Sequence, residues 1–270
     1  MTPSERSSVS PVLRVSVVGA TDVGRMRSHN EDAFLISNLG SGRRAPSGDR
    51  EEIQTNTGRP LLLAVSDGVG SGPAGELASR LTLEALGRTL PPTAGKWGPA
   101  LRRAVEAANH AVWDAASQRT EFRGMAATLT AVCVHRRTAH IVEVGDSRAY
   151  LIRGGMIRLL TRDQSYVQAL IDAGMLTPEQ AERSSLRNVI LAAIGSERDV
   201  TVDLGTVELE PGDALVLCSD GLSNELDAPQ IRASVVSSAT PYVACARLIE
   251  AANGHGGRDN ITAVVASFAV

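Results

Sequence analysis

Three apolar runs in this chain each stop at an aspartate: LLLAVS before Asp67-Gly68, HIVEVG before Asp146, and ALVLCS before Asp220-Gly221. Asp259 stands just ahead of the last such run, ITAVVASFAV. A carboxylate at the end of a buried strand is costly to desolvate unless a cation meets it there. Where several such ends converge, carboxylate oxygens suit a hard divalent ion such as Mg²⁺, Mn²⁺ or Ca²⁺. The pattern therefore predicts a fold in which distant strand ends meet around metal, and it points to metal-assisted phosphate chemistry.

The chain is long enough, at 270 residues, for one large domain. Its hydrophobic fraction of 43% supports a sizeable core, and with only 3% aromatic residues aliphatic side chains must fill it. A formal net charge of -3 gives no reason to expect broad attraction to nucleic acid or anionic membrane. Cys133, Cys218 and Cys245 are far apart, sit among aliphatic residues and form no metal-binding spacing. They read as reduced, buried thiols of a cytoplasmic protein. The polar opening MTPSERSSVSP lacks an apolar signal core and reads as a flexible tail over residues 1–11, ahead of a single domain over 12–270.

Local patterning predicts a strand over Val12–Val18, a loop over Gly19–Arg27, a short strand over Ala33–Ile36 and an exposed loop from Asn38 to Pro60. Leu61–Val65 reads as a buried strand. Helical spacing follows over Pro73–Leu90, through Leu77, Leu81, Ala85 and Leu86, and over Pro99–Gln118, through Leu101, Val105, Ala108 and Val112. From Thr128 to Leu160 the period becomes two, predicting a meander of antiparallel strands. A polar helical insertion occupies about 163–199. Val200–Val207 and Ala214–Cys218 then read as a hairpin about Pro211-Gly212, followed by a helix over Tyr242–Ala252 and the terminal strand. Hairpin-linked strands interrupted by helix pairs predict an antiparallel sandwich with helices on its outer faces.

At this level the residues resemble the PP2C-type (PPM) metal-dependent protein phosphatases of bacteria. The resemblance is carried by Asp22-Val23-Gly24-Arg25-Met26-Arg27-Ser28-His29-Asn30-Glu31-Asp32, Asp67-Gly68, Gly145-Asp146-Ser147-Arg148, Ser219-Asp220-Gly221 and Asp259-Asn260, in the family's order. Gly124–Thr130 (GMAATLT) and Arg187-Asn188-Val189-Ile190 add to it. It implies an α+β fold, a four-layer α-β-β-α sandwich of two mainly antiparallel sheets. It also implies two Mn²⁺ or Mg²⁺ ions, with Asp67 bridging, the Gly68 carbonyl, Glu31, Asp220 and Asp259 completing the pair, and Asp146 serving a third, weaker cation. Arg27 would grip the phosphate. Asp32 is an acceptor behind the ligands or a ligand through water.

The implied activity is hydrolysis of phosphoserine and phosphothreonine in proteins by a metal-activated water, opposing a Ser/Thr kinase, by a monomer. Taken singly, Asp67-Gly68 and Asp220-Gly221 are ordinary turn residues. Arg27 alone would be a solvated charge, as His29 and His255 are read to be. Arg148 reads as a structural partner of nearby acids, and Gly24 and Gly145 as backbone devices.

The sequence departs from the family in three places. Val69 stands where some relatives carry a histidine, Gln164-Ser165 follows Asp163 where Asp-His-Ser is usual, and Leu191-Ala192-Ala193 replaces a more polar segment. Two other readings remain open: a catalytically dead binding module, and a SpoIIE-like phosphatase of a single partner.

Overall fold

Within the run Leu61–Val65, alternate residues go to opposite faces. Leu61, Leu63 and Val65 pack with Val17, Phe34, Leu217 and Val264, whereas Leu62 and Ala64 pack with Leu83, Leu86, Leu101 and Val105. A strand buried on both faces reads as a continuous apolar run, and its period of two is hidden because neither face meets water. The computed structural model describes residues 12–40, 46, 48–70 and 73–270. The predicted tail over 1–11 lies outside them.

Two sheets face one another. The first has the order β3 (Arg50–Asn56), β1 (Arg14–Asp22), β12 (Ile261–Ala269), β11 (Ala214–Cys218), β8 (Arg148–Arg153), β9 (Met156–Leu159). The second has the order β10 (Asp203–Glu208), β7 (Thr138–Val144), β6 (Leu129–His135), β4 (Leu61–Val69), β2 (Asp32–Asn38), with the short β5 (Ala126–Ala127) paired to the end of β4. All the pairings are antiparallel. Helices α1 (Ala74–Thr89) and α2 (Trp97–Gln118) cover the outer face of the second sheet. Helices α6 (Ala228–Val236) and α7 (Pro241–Gly254) cover the outer face of the first. The short helices α3 (Tyr166–Asp172) and α4 (Pro178–Glu182) fall in the 163–199 segment, and α5 (Asp220–Ser223) follows β11 directly. This is the four-layer sandwich. Among the described residues no helix is long and apolar enough to cross a membrane.

Several local expectations change. The first strand runs Arg14–Asp22, through residues expected to form a loop, because its whole length pairs with β12 from Arg14↔Ala269 to Asp22↔Ile261. The second strand extends to Asp32–Asn38. The expected loop Asn38–Pro60 contains β3; residues 41–45 and 47 of it lie outside the described set. This edge strand alternates exposed Arg50, Glu52 and Gln54 with half-buried Glu51, Ile53 and Thr55, so it carries no apolar signal. In α1, Leu77 and Leu81 are only half-buried, and the buried stripe runs through Ala78, Leu83 and Leu86.

The meander is also two hairpins rather than one. β6–β7 lies in the second sheet and β8–β9 in the first, with the chain crossing at Gly145-Asp146-Ser147. Likewise β10 and β11 are not a hairpin: the chain changes sheet again between them. Helix α6 was missed, although Asp227 and Gln230 form a reciprocal capping box with Pro229 in the first turn, a pattern legible in sequence.

Gly19 on β1 faces Phe34 on β2, and an added Cβ would overlap the fully buried Phe34 ring. We expect Gly19→Ala to destabilise the protein by about 1–3 kcal/mol through overpacking. Phe34→Leu in the same chain should return part of that loss. Urea unfolding of the two single variants and the double variant measures it, and strictly additive losses would show that the two positions do not share space.

Candidate metal centre

The chain changes sheet beside its acidic strand ends, and this gathers them. Asp32 and Asp67 are directly opposed in the β2–β4 pairing. Like charges at such positions repel. Asp32 is 7% exposed and reaches across to the other sheet, where its Oδ2 accepts from Ser219 Oγ and Thr262 Oγ1, each at 2.7 Å. Its Oδ1 has no partner. Burial pushes its carboxyl up to about 7, the two hydroxyls oppose the shift, and Asp220 and Asp259 add to it.

Asp67 sits on a backbone held by Thr128, whose Oγ1 accepts from Asp67 N at 3.0 Å and whose N donates to Asp67 O at 2.8 Å. Burial raises its carboxyl well above the usual range, and Asp32, Asp220 and Asp146 add to the shift. Asp220 opens α5, and its Oδ2 accepts from Asn224 Nδ2 at 3.0 Å while its Oδ1 is buried without a partner. Its carboxyl is also raised, by burial and then by Asp259. Asp146, on the sheet crossover, is 9% exposed and pushed up to about 8 by burial, then by Asp220 and Asp163.

The remaining candidates border this group. Asp259 accepts from Arg27 at 2.8 Å, and the Arg27 side chain is 48% exposed. Glu31 is half-buried, and its carboxylate covers the first turn of α1 so closely that a Cβ on Gly75 would overlap it. Burial raises Glu31, with Arg27 opposing. Gly68 N donates to Glu31 O at 3.1 Å, and a Cβ on Gly68 would collide with the Gly75 carbonyl. Gly24, with φ +79°, has no room for a side chain against Asp259 O.

The acidic set thus comes together, with Arg27 at its edge. Among the described residues no three His, Cys, Asp or Glu side chains close around a single point. A hard cation here would draw on few protein oxygens at a time and keep several waters, as Mg²⁺ does. The donor set fits that description, being all oxygen, with unpaired buried atoms at Asp32 and Asp220. The nearby arginines are already committed, Arg148 to Asp163 and Arg27 to Asp259.

Arg148 has the structural role expected of it. His29 and His255 are exposed, as read from sequence. All three cysteines are buried and form no disulfide, and burial pushes their thiols up to about 12, away from thiolate. A hollow of about 380 Å³ among Ile152, Ala214, Val236, Thr240 and Ala244 holds none of the candidate residues.

Sequence reasoning missed the residues that hold this set in place. Asn260 Oδ1 accepts from Glu31 N at 2.8 Å, and its Nδ2 donates to Val23 O and His29 O, tying the Arg27 loop to β12. Thr128, Ser219 and Thr262 act similarly on Asp67 and Asp32. Glu143 was also missed. It is 3% exposed, its Oε2 accepts from Arg162 N at 2.8 Å, and its Oε1 has no partner. Asn260 and Ser219 stand inside recognisable motifs, whereas nothing in the spacing marks Thr262 or Glu143.

Burial pushes Glu143 up to about 9 from 4.5, so the folded chain keeps a proton that the unfolded chain releases. Stability must therefore fall as pH rises between those values. Without divalent cations, wild type should lose stability relative to Glu143→Gln across about pH 4.5 to 9, read from urea midpoints. A gap that stays constant with pH would contradict this.

Comparison with known proteins shows the family. The protein phosphatase 2C family model matches residues 41–253. The protein phosphatase PhpP of Streptococcus pneumoniae is 34% identical over 252 residues, covering 92% of this chain and 95% of that protein. The serine/threonine protein phosphatase PstP of Mycobacterium tuberculosis is 37% identical over 264 residues, covering 96% of this chain and 45% of PstP. A crystal structure of the M. tuberculosis phosphatase PstP/Ppp superposes with a TM-score of 0.82 at 33% identity, covering 96% of this chain and all of that one. The PstP catalytic domain solved with two manganese ions gives a TM-score of 0.79 at 32% identity, covering 96% of this chain and 100% of that one. The chain belongs to the protein phosphatase 2C family.

Proposed function

We propose that this chain is a Mn²⁺- or Mg²⁺-dependent phosphatase that removes phosphate from serine and threonine in proteins. One observation carries the reading: Asp32, Asp67, Asp146 and Asp220 are buried, Asp32 directly opposite Asp67, and burial first, then repulsion from neighbouring aspartates including Asp259, raises all four. Such a group is stable in ionised form only beside cations. Two divalent ions held there would supply charge neutralisation at the phosphate and make bound water more acidic.

In this reading Asp67, the Gly68 carbonyl, Glu31, Asp220 and Asp259 would hold the pair, and Asp146 would serve a third cation. Asp32 stays behind them, holding Ser219 and Thr262. Arg27, half exposed beside Asp259, presents a planar fork suited to two phosphate oxygens. Val69, 46% exposed and apolar, has no proton to give the leaving alkoxide. The 163–199 segment forms a flap beside the site. We place the enzyme in the cytoplasm, a reading supported by its buried thiols, none of which forms a disulfide, and read it as a monomer opposing a Ser/Thr kinase. The intact acidic set disfavours a dead binding module.

Asp67→Asn and Asp220→Asn should each cut Mn²⁺-dependent hydrolysis of p-nitrophenyl phosphate by about two to three orders of magnitude, the scale of removing one preorganised electrostatic group. Their folds should persist by circular dichroism. Near-wild-type turnover in the double variant would defeat the assignment. Chelation should silence the wild-type enzyme and added Mn²⁺ should restore it; activity that survives exhaustive chelation would exclude metal dependence.

A further inference from the structure

The crossover that carries Asp146 is gripped at both flanks by two consecutive residues. On one side Asp163 takes Arg148 in a two-point ion pair, with Nε to Oδ1 at 2.9 Å and the terminal nitrogen to Oδ2 at 2.6 Å. On the other, Gln164 takes Gly145 from both ends: Gln164 N donates to Gly145 O at 2.7 Å, and Gly145 N donates to Gln164 Oε1 at 3.0 Å. Gly145 has φ +110° and a Cβ on it would overlap Thr128, so the turn needs glycine at this position.

Gln164 has two further ties. Its Nε2 donates to Asp203 Oδ2 on β10 at 2.9 Å, and its carbonyl accepts from Leu191 N at 2.7 Å. The Leu191 bond continues a short ladder in which Ser165 bridges Ile190 and Tyr166 N donates to Val189 O. One side chain and its backbone therefore join the Asp146 turn, the returning arm of the 163–199 segment and the edge strand of the second sheet.

We propose that Gln164 is a positioning residue that couples the place of the flap arm 189–194 to the cation affinity of Asp146. This rests on the reading of Asp146 as the ligand of a third, weaker cation. If the arm and the turn share one clamp, displacing the arm must move the carboxylate, and by reciprocity a cation on Asp146 must steady the arm.

The test titrates the full chain with Mn²⁺ by calorimetry and follows hydrogen exchange over residues 189–194 with and without Mn²⁺. Wild type should show a weaker component that Asp146→Ala removes, and Mn²⁺ should slow exchange in the arm. Gln164→Met, of similar length but unable to hydrogen-bond, should weaken that component by about ten- to a hundredfold, the usual effect of losing a partner that orients a ligand. It should leave the tighter component in place and reduce the Mn²⁺ effect on exchange, part of which the backbone bonds of Gln164 with Gly145 O and Leu191 N still carry.

Pairing Gln164→Glu with Asp203→Asn keeps the net charge, keeps an acceptor for Gly145 N and reverses the bond to position 203; it should restore both readouts. Gln164→Asn, one methylene too short to reach Gly145, gives the same test if Gln164→Met does not fold. A wild-type isotherm in Gln164→Met, or an arm slowed by Mn²⁺ in that variant as much as in wild type, would overturn the proposal and leave the phosphatase reading untouched. A wild-type protein with Mn²⁺-dependent turnover but no component sensitive to Asp146→Ala would remove the basis of the coupling. Loss of Mn²⁺-dependent turnover altogether would remove the functional reading as well.

Discussion

The structure turns on electrostatic repulsion held inside a sandwich. Asp32 and Asp67 face each other across β2 and β4, Asp220 and Asp146 close on them from the other sheet and the crossover, and burial raises every one of these carboxyls. A chain selected for stability alone would replace such a group with apolar residues. Keeping it makes sense where a cation meets the oxygens, and the fold commits much of its polar chemistry to holding them still. Ser219 and Thr262 anchor Asp32, Thr128 anchors Asp67, and Asn260 ties the loop bearing Arg27 and Glu31 to β12.

The topology explains why the site lies where the sheets meet. The chain passes from one sheet to the other at Gly145–Ser147, and Asp146 is carried on that passage. The apolar layer between the sheets, with Phe34, Leu63, Val65, Leu217 and Val264, fixes how strand ends from both sides line up. Glycines at 68, 75 and 221 then permit backbone contacts that a Cβ would block: Gly68 against Gly75, and Gly221 against the Asn260 carbonyl. Close packing of main chain brings the carboxylates together without long side chains, which leaves them few ways to turn aside.

How much of this was legible depended on whether a residue's role was local. The buried strands and the principal helices announced themselves through apolar spacing, and Asp67, Asp146, Asp220 and Asp259 stood out because each abuts an apolar run. Strand β3 did not, since an edge strand with polar residues on both faces has no hydrophobic period. Helix α6 has a cap legible at Asp227 and Gln230 but only a short apolar stripe behind it. The two sheet changes were read as hairpins because Gly145-Asp146-Ser147 and Pro211-Gly212 look like ordinary turns, and turn chemistry does not say which strand comes next to which.

By itself the sequence determined the buried strands, the principal helices, the aliphatic core and the acidic residues, because propensity, periodicity and an unfavourable charge next to an apolar run are properties of neighbouring positions. The tertiary structure alone decided that β8 leaves the sheet of β7, that Thr262 supports Asp32 from 230 residues away, and that Gln164 holds Gly145. Those contacts arise only when two sheets pack face to face, and the energy that selects them is shared across the whole interface rather than written in any one segment.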